Sequence, residues 1–236
     1  MANKKTNISV VLPVHELVGE ENMKLFNNAM TSIGNQEVKP DSVLIVTPKG
    51  SDVYKKLKDM DLTSHGVKTT ILENPGGTDF SSQVNYGVSQ CKTEWFSILE
   101  FDDEYSSKWF KNVVKYKEAH KDVDVFMPII IDVNQKDGSF MGLTNEAVWA
   151  NSFSDELGVL DNNALLSFQN FNIDGITMKT EAFNESGGLK SNIKLTFIYE
   201  FLLRITFKDQ KVMVIPKLGY KHLNQRPDSL FVKYKE

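Results

Sequence analysis

Cysteine is all but absent from this chain: Cys91 is the only one among 236 residues. An internal disulfide is therefore impossible, and so is any site built from several thiolates. Long apolar runs are missing too. No stretch approaches the roughly 20 residues that a membrane-spanning helix needs. The opening Met1–Asn7 segment lacks the apolar core of a signal peptide. A soluble, cytoplasmic chain without stable membrane insertion is the expectation. Neither sign of charge dominates, since 27 Lys and Arg against 31 Asp and Glu leave a net −4. That balance argues against a protein that coats nucleic acid. Internal repeats and low-complexity linkers are lacking as well. The one local imbalance is the stretch from Lys208 to Glu236, with seven Lys and Arg against three Asp and Glu. Such a stretch suits an anionic ligand or plain solvated surface.

What is present is a regular alternation of apolar runs and helical periods. Ile8–Val14 is a short apolar run stopped by His15 and Glu16, and reads as a buried strand. Met23, Leu25, Phe26, Ala29, Met30 and Ile33 repeat at helical spacing within 22–35. Strand-like runs follow at 42–46 and 67–72, helical ones at 52–60 and 80–91, and a loop by composition at 74–79. A strand beginning at Trp95, a helix over 107–120 and a strand over 123–131 continue the pattern. Strand and helix in strict alternation predict a mostly parallel α/β sheet flanked by helices. Signals weaken from Asp132 to Asn170 and then return. A strand is expected over 173–178, a long amphipathic helix over 193–207, and a last strand over 211–215 that stops before Pro216. One continuous domain is expected, with an embellished second half.

The chemistry concentrates where Trp95–Leu99 runs into Glu100, Asp102, Asp103 and Glu104. Strand alternation puts Glu100 and Asp102 on one side, and Phe101 and Asp103 on the other. Carboxylates two residues apart at the carboxyl end of a buried strand can share a divalent cation. In open α/β sheets, ligands bind at that end. An isolated acidic tetrad can equally be a solubilising loop, and its surroundings decide the matter.

Those surroundings resemble the family 2 glycosyltransferases over most of the chain, with 132–170 as the poor stretch. Ile8-Ser-Val-Val-Leu-Pro-Val-His-Glu is similar to that family's opening strand. Ser32 and Gln36 before Pro40 match its helix-to-strand passage, and Asn74–Gly87 its Asn-x-Gly…Asn-x-Gly element. Leu99-Glu-Phe-Asp-Asp103 stands where the family has Leu-Asp-x-Asp-Asp. Asp174–Leu189 resembles the acceptor-side strand with its Gly-Gly turn, and Tyr220-Lys-His222…Arg226…Ser229 the closing segment that returns a His to a metal.

The resemblance implies a GT-A (Rossmann-like) fold in a single domain over 1–236. Residues 7–131 would bind a nucleotide-sugar, and 132–236 would form the acceptor side and the metal and phosphate segment. It implies transfer of a sugar from a nucleoside-diphosphate sugar to an acceptor hydroxyl, with inversion and with Mn²⁺ or Mg²⁺. Hard cations take carboxylate oxygens, and His tolerates the softer Mn²⁺. Asp102 is therefore the expected main metal ligand, His222 the second, and Glu100 a third contact or a ribose partner. Asp103 is assigned to supporting the loop. Pro13, His15, Glu16, Asp79, Asn85, Glu100, Asp102, Lys221 and Arg226 are expected around the donor. The acceptor is open among a glycan, a protein, a small molecule and a modified nucleic-acid base.

Two departures stand out. No Asp follows the second strand, where Thr47-Pro48-Lys49 stands instead and Asp52 is the nearest substitute for contacting a base. The acid pair that the family carries seven residues before an Arg on its long helix is also missing, because that spacing from Arg204 falls on Phe197 and Ile198. Glu200 is then the expected catalytic base and Asp174 the other candidate. Asp155, Glu156 and Asp161 are held in reserve. Two other readings compete: a member that binds nucleotide-sugar or glycan without turnover, and a nucleotidyltransferase. The latter normally needs a basic Gly-rich loop after the first strand, and Pro13–Gly19 contains no Lys or Arg.

Overall fold

A computed structural model describes residues 6–150 and 153–224. The first strand, β1 (Ile8–Pro13), is buried along its whole length, as its unbroken apolar run requires. It pairs in parallel with β2 (Ser42–Pro48) on one side and β4 (Trp95–Ile98) on the other. The strand β3 (Thr69–Asn74) lies parallel to β2 at one edge of the sheet. The intervening helices are α1 (Gly19–Gly34), α2 (Asp52–Lys58) and α3 (Phe80–Ser89), with α4 (Trp109–Ala119) after the short β5 (Glu104–Tyr105).

Alternation along β1 feeds two cores, one on each face of the sheet. Val10 and Leu12 pack with Phe26, Met30 and Ile33 of α1 and with Trp109 and Phe110 of α4. Val11 points the other way, among Val84 and Val88 of α3 and Leu202 and Ile205 of α7 (Phe197–Phe207). Both faces of the parallel half are thus covered.

Beyond β4 the sheet becomes mixed. Its order is β3-β2-β1-β4-β9-β6-β10-β5. Here β9 (Thr177–Lys179) runs antiparallel to both β4 and β6 (Val125–Asn134), while β10 (Val212–Asn224) lies parallel to β6. The weak-signal region supplies β7 (Phe140–Thr144) against β6, β8 (Val159–Leu160) against β10, and α5 (Asn162–Ser167). The last short helix is α6 (Thr180–Ser186).

Several expected elements differ. The last strand does not stop before Pro216. It runs on to Asn224, with register shifts on either side of Leu218. Proline cannot donate to a ladder, and a bulge is where a strand tolerates it. The strand expected over 173–178 is instead a turn at Asp174–Gly175 leading into β9, and the long helix starts at Phe197 rather than at 193. The division drawn between 131 and 132 falls inside β6, so one sheet runs through both halves.

Candidate active site

The groups of the site come from the turn after β4, the far half of β10, the turn before β9 and, through Asp132, the end of β6. After Ile98, β4 gives way to a turn in which the Asp103 amide donates to the Glu100 carbonyl at 3.2 Å. Burial alternates along this turn as expected: Phe101 and Asp103 are buried, Glu100 and Asp102 half-buried. The next residues, Glu104 and Tyr105, pair with Lys221 and Tyr220 of β10. That pairing lays the far half of β10 across the acids. Tyr220 Oη donates to Asp103 Oδ2 at 2.9 Å and accepts from the Glu100 amide at 3.1 Å. The Leu223 amide donates to Asp103 Oδ1 at 2.8 Å.

His222 sits between those two anchors. Its Nδ1 lies 2.7 Å from Asp132 Oδ1, and the two residues are direct register partners across β10 and β6. Asp174 reaches the same spot from the turn before β9. The Gly175 amide donates to the Ile98 carbonyl at 3.2 Å, which stitches this turn to the end of β4. Gly175 has φ +71°, and a Cβ there would lie 2.6 Å from the Tyr220 ring. Only glycine meets both demands. Asp174 accepts from the Asn172 amide group as well. One donor atom from each of Asp103, Asp174 and His222 falls within 4.8 Å of the others.

The electrostatics follow from this crowding. Burial, and then the fields of Asp174, Asp102 and Asp103, hold the Glu100 carboxyl well above the usual carboxylate range. Burial raises Asp103 in the same way, with His222 pulling in the opposite direction. Asp174 is raised by burial and opposed by His222 and by hydrogen bonding from Glu100. Burial disfavours a charge on His222. The bond to Asp132 and the fields of Asp103, Asp174 and Glu100 outweigh it, and the imidazolium is held up to about 11. Several buried acids around the His222 ring form a site suited to positive charge.

The structure thus brings Asp103 and Asp174 to His222, where the sequence reading put Asp102 and Glu100. Those two flank the cluster, and Asp102 makes its presence felt in the raised carboxyls of both Glu100 and Asp103. Asp103 does support the loop, through Tyr220 and Leu223, and it belongs to the cluster too. Pro13 ends β1, and the His15 ring meets the Phe101 ring edge-on at 5.5 Å, so the first strand's end borders the acidic turn. Glu16 is half-buried beside it.

Other expected residues already have partners within the protein. Asp79 caps α3 by accepting from the Ser82 amide and hydroxyl. Asn85 exchanges two hydrogen bonds of 2.8 Å with the backbone of Leu189, holding the Gly-Gly turn against α3. Lys221 pairs with Glu104 at 2.9 Å. Asp52 pairs with Lys55 on the exposed start of α2. Glu200 is gripped by Arg204, whose guanidinium also donates to the carbonyls of Ser186 and Gly188. Arg226 lies outside the described residues. Asp132 went unnoticed in the sequence although its signal was there. It follows an apolar strand run just as Glu100 does.

Residues 10–187 match the family model described as glycosyl transferase family 2. Among solved structures, the chain is similar to S. aureus TarS 1–349 in complex with UDP, at 14% identity and a TM-score of 0.65, covering 93% of this chain and 61% of that one. The same protein in complex with UDP-GlcNAc gives 13% identity and a TM-score of 0.66, covering 94% and 60%. The crystal structure of S. aureus TarS without that truncation gives 16% and 0.64, covering 94% of this chain and 37% of that one. The chain therefore spans about three-fifths of the TarS 1–349 structures. At these identities the likeness concerns the fold, which is the GT-A arrangement of a curled mixed sheet flanked by helices. No curated protein matches the sequence.

Proposed function

Because the chain belongs to glycosyl transferase family 2, we propose that it transfers a sugar from a nucleoside-diphosphate sugar to an acceptor hydroxyl, with inversion and with a divalent cation. The observation that carries this reading is the meeting of the β4 acids with Asp174 and His222 at the carboxyl end of the central strands. The UDP and UDP-GlcNAc complexes of TarS, which shares the fold, support a uridine donor.

The donor set fits Mn²⁺ or Mg²⁺. Asp103, Asp174 and His222 would hold the ion, with two hard carboxylates and one borderline nitrogen. Asp103 already accepts one protein hydrogen bond on each oxygen, and each oxygen keeps a second lone pair. When bound, such a cation neutralises charge building on a departing diphosphate. The protein's own part is preorganisation: Tyr220 and Leu223 lock Asp103, and Asn172 holds Asp174, before any substrate arrives. Pro13, His15 and Glu16 border the donor side. In the transfer the acceptor oxygen bonds to the anomeric carbon as the bond to the diphosphate oxygen breaks, and the acceptor proton passes to a carboxylate. Glu200 and Asp174 are the candidates for that proton; Arg204 holds the first, and the second would be on the ion. Among the described residues no helix is long and apolar enough to cross a membrane.

Calorimetric titration of UDP, GDP, CDP and dTDP, with and without Mn²⁺, tests the reading on wild type, Asp102→Ala and Asp103→Asn. Metal-dependent binding of one nucleotide, lost in Asp103→Asn, is the expected result, and Asp102→Ala shows whether the flanking acid is needed as well. No binding of any nucleotide in the presence of metal refutes it. A second reading, binding without turnover, draws on the missing acid pair of α7 and the occupied Glu200. It predicts intact nucleotide binding with no hydrolysis or transfer of any UDP-sugar.

A further inference from the structure

We propose that Asp132 is a positioning residue that sets the ring of His222 for a divalent cation, and that Thr144 in turn holds Asp132. The inference rests on the metal reading above. Its ground is a chain of side chains running from the poorly patterned 132–170 region into the cluster. Thr144 Oγ1 donates to Asp132 Oδ2 at 2.8 Å, and Asp132 Oδ1 lies 2.7 Å from His222 Nδ1. Both members of the Asp132–His222 pair are largely shielded, with side chains 15% and 30% exposed.

The strand register brings the two side chains together. Asp132 and His222 are register partners in neighbouring parallel strands, so their side chains leave the sheet on the same face. Tyr220, two residues before His222, shares that face and bonds Asp103. The Leu223 amide bonds the other Asp103 oxygen. Residues on both sides of His222 are therefore tied to Asp103, and the ring itself is tied to Asp132. With Nδ1 held by a carboxylate, the proton of a neutral ring stays on Nδ1 and Nε2 offers its lone pair. A carboxylate behind a metal-binding imidazole sets both tautomer and orientation, and its loss typically costs about 10–100-fold in affinity. Thr144 extends the chain by fixing the second oxygen of Asp132. A strand of the second half, β7, thereby acts on a site built by β4 and β10.

Mn²⁺ binding to the full chain tests this by electron paramagnetic resonance, with the electron spin-echo modulation from a coordinated imidazole nitrogen as second readout. Wild type is expected to bind Mn²⁺ and show that modulation. Asp132→Leu should weaken binding about 10–100-fold and abolish the modulation. Asp132→Asn, which is isosteric and keeps an oxygen facing Nδ1, should fall between. The double variant Asp132→Leu/His222→Ala should bind no more weakly than His222→Ala alone, because Asp132 acts only through the ring. Wild-type-like affinity with intact modulation in both Asp132 variants overturns the inference, as do additive losses in the double variant. Failure of the wild type to bind Mn²⁺ at all overturns the metal reading, and this inference with it. Thermal unfolding of each variant separates loss of fold from loss of metal. Should the leucine variant not fold, the asparagine variant carries the test.

Discussion

Gly175→Ala adds one methyl group, and the structure says where it goes. The new Cβ would lie 2.6 Å from Tyr220 Cδ2 and 3.0 Å from Pro128 Cγ. Tyr220 has nowhere to retreat. It is 1% exposed, packs edge-on against Tyr105 at 5.6 Å, and is bonded at its hydroxyl to Asp103 and the Glu100 amide. Holding alanine at φ +71° costs about 1–2 kcal/mol. Overpacking of a fixed core contact adds about 1–3 kcal/mol. Restricting the unfolded chain returns about 0.4–1 kcal/mol, which does not reverse the sign. The net expectation is a destabilisation of roughly 2–4 kcal/mol. For a chain of this size that lowers Tm by about 5–15 °C, at about 2–4 °C per kcal/mol. Gly142→Ala is the control. It places a methyl in open space without a positive φ and should stay within about 0.5 kcal/mol of wild type. Differential scanning calorimetry of the three proteins reads the difference. A Gly175→Ala protein that melts with Gly142→Ala would show that Tyr220 is not locked, and the preorganisation argued for Asp103 would fall. Mn²⁺ binding, measured in parallel, should weaken in Gly175→Ala alone.

Other tests bear on single contacts. Tyr220→Phe leaves Asp103 Oδ2 and the Glu100 amide each short of a partner, and should cost about 1–3 kcal/mol in denaturant unfolding. An unchanged midpoint would mean those bonds carry nothing. Glu200→Gln and Arg204→Met should both lower Tm, because the guanidinium also satisfies the Ser186 and Gly188 carbonyls. A Glu200→Gln protein with wild-type Tm and turnover reduced about 100-fold or more would instead make Glu200 the base. Asn85→Ala removes both bonds to Leu189 and should speed protease cleavage near the Gly-Gly turn, with equal cleavage counting against the anchoring role. Burial pushes the Cys91 thiol up to about 12, so a disulfide reagent at pH 8 should react slowly with folded protein and at once in denaturant. Rapid reaction in both states would refute the burial.

Much of the fold is legible from local pattern. The elements from β1 to β4 follow from apolar runs, helical periods and a Pro-Gly-Gly loop, because parallel strands buried on both faces must be apolar throughout. The acids after β4 stand out for the same reason, since charge there interrupts a core sequence. The order of motifs also points to the family that the comparisons show. Within the site, sequence reading points to the acids after β4 by pattern, and to Asp174 and His222 through the family resemblance. It goes no further, because the remaining choices depend on residues far apart in the chain. Asp103 joins the cluster because β5 pairs with β10, which brings Tyr220 and Leu223 onto its two oxygens. The strand carrying His222 continues past Pro216 only because a bulge lets β10 resume its pairing with β6. Asp132 meets His222 through that same register, 90 residues away, which no local spacing encodes. Glu200 looked free for chemistry until the Gly-Gly turn folded onto α7 and its carbonyls drew in Arg204. The sequence by itself determined the class of fold and the family, and it pointed to the acids after β4. Only the tertiary structure decided which carboxylates converge, because strand register and buried hydrogen-bond demand are settled between distant segments.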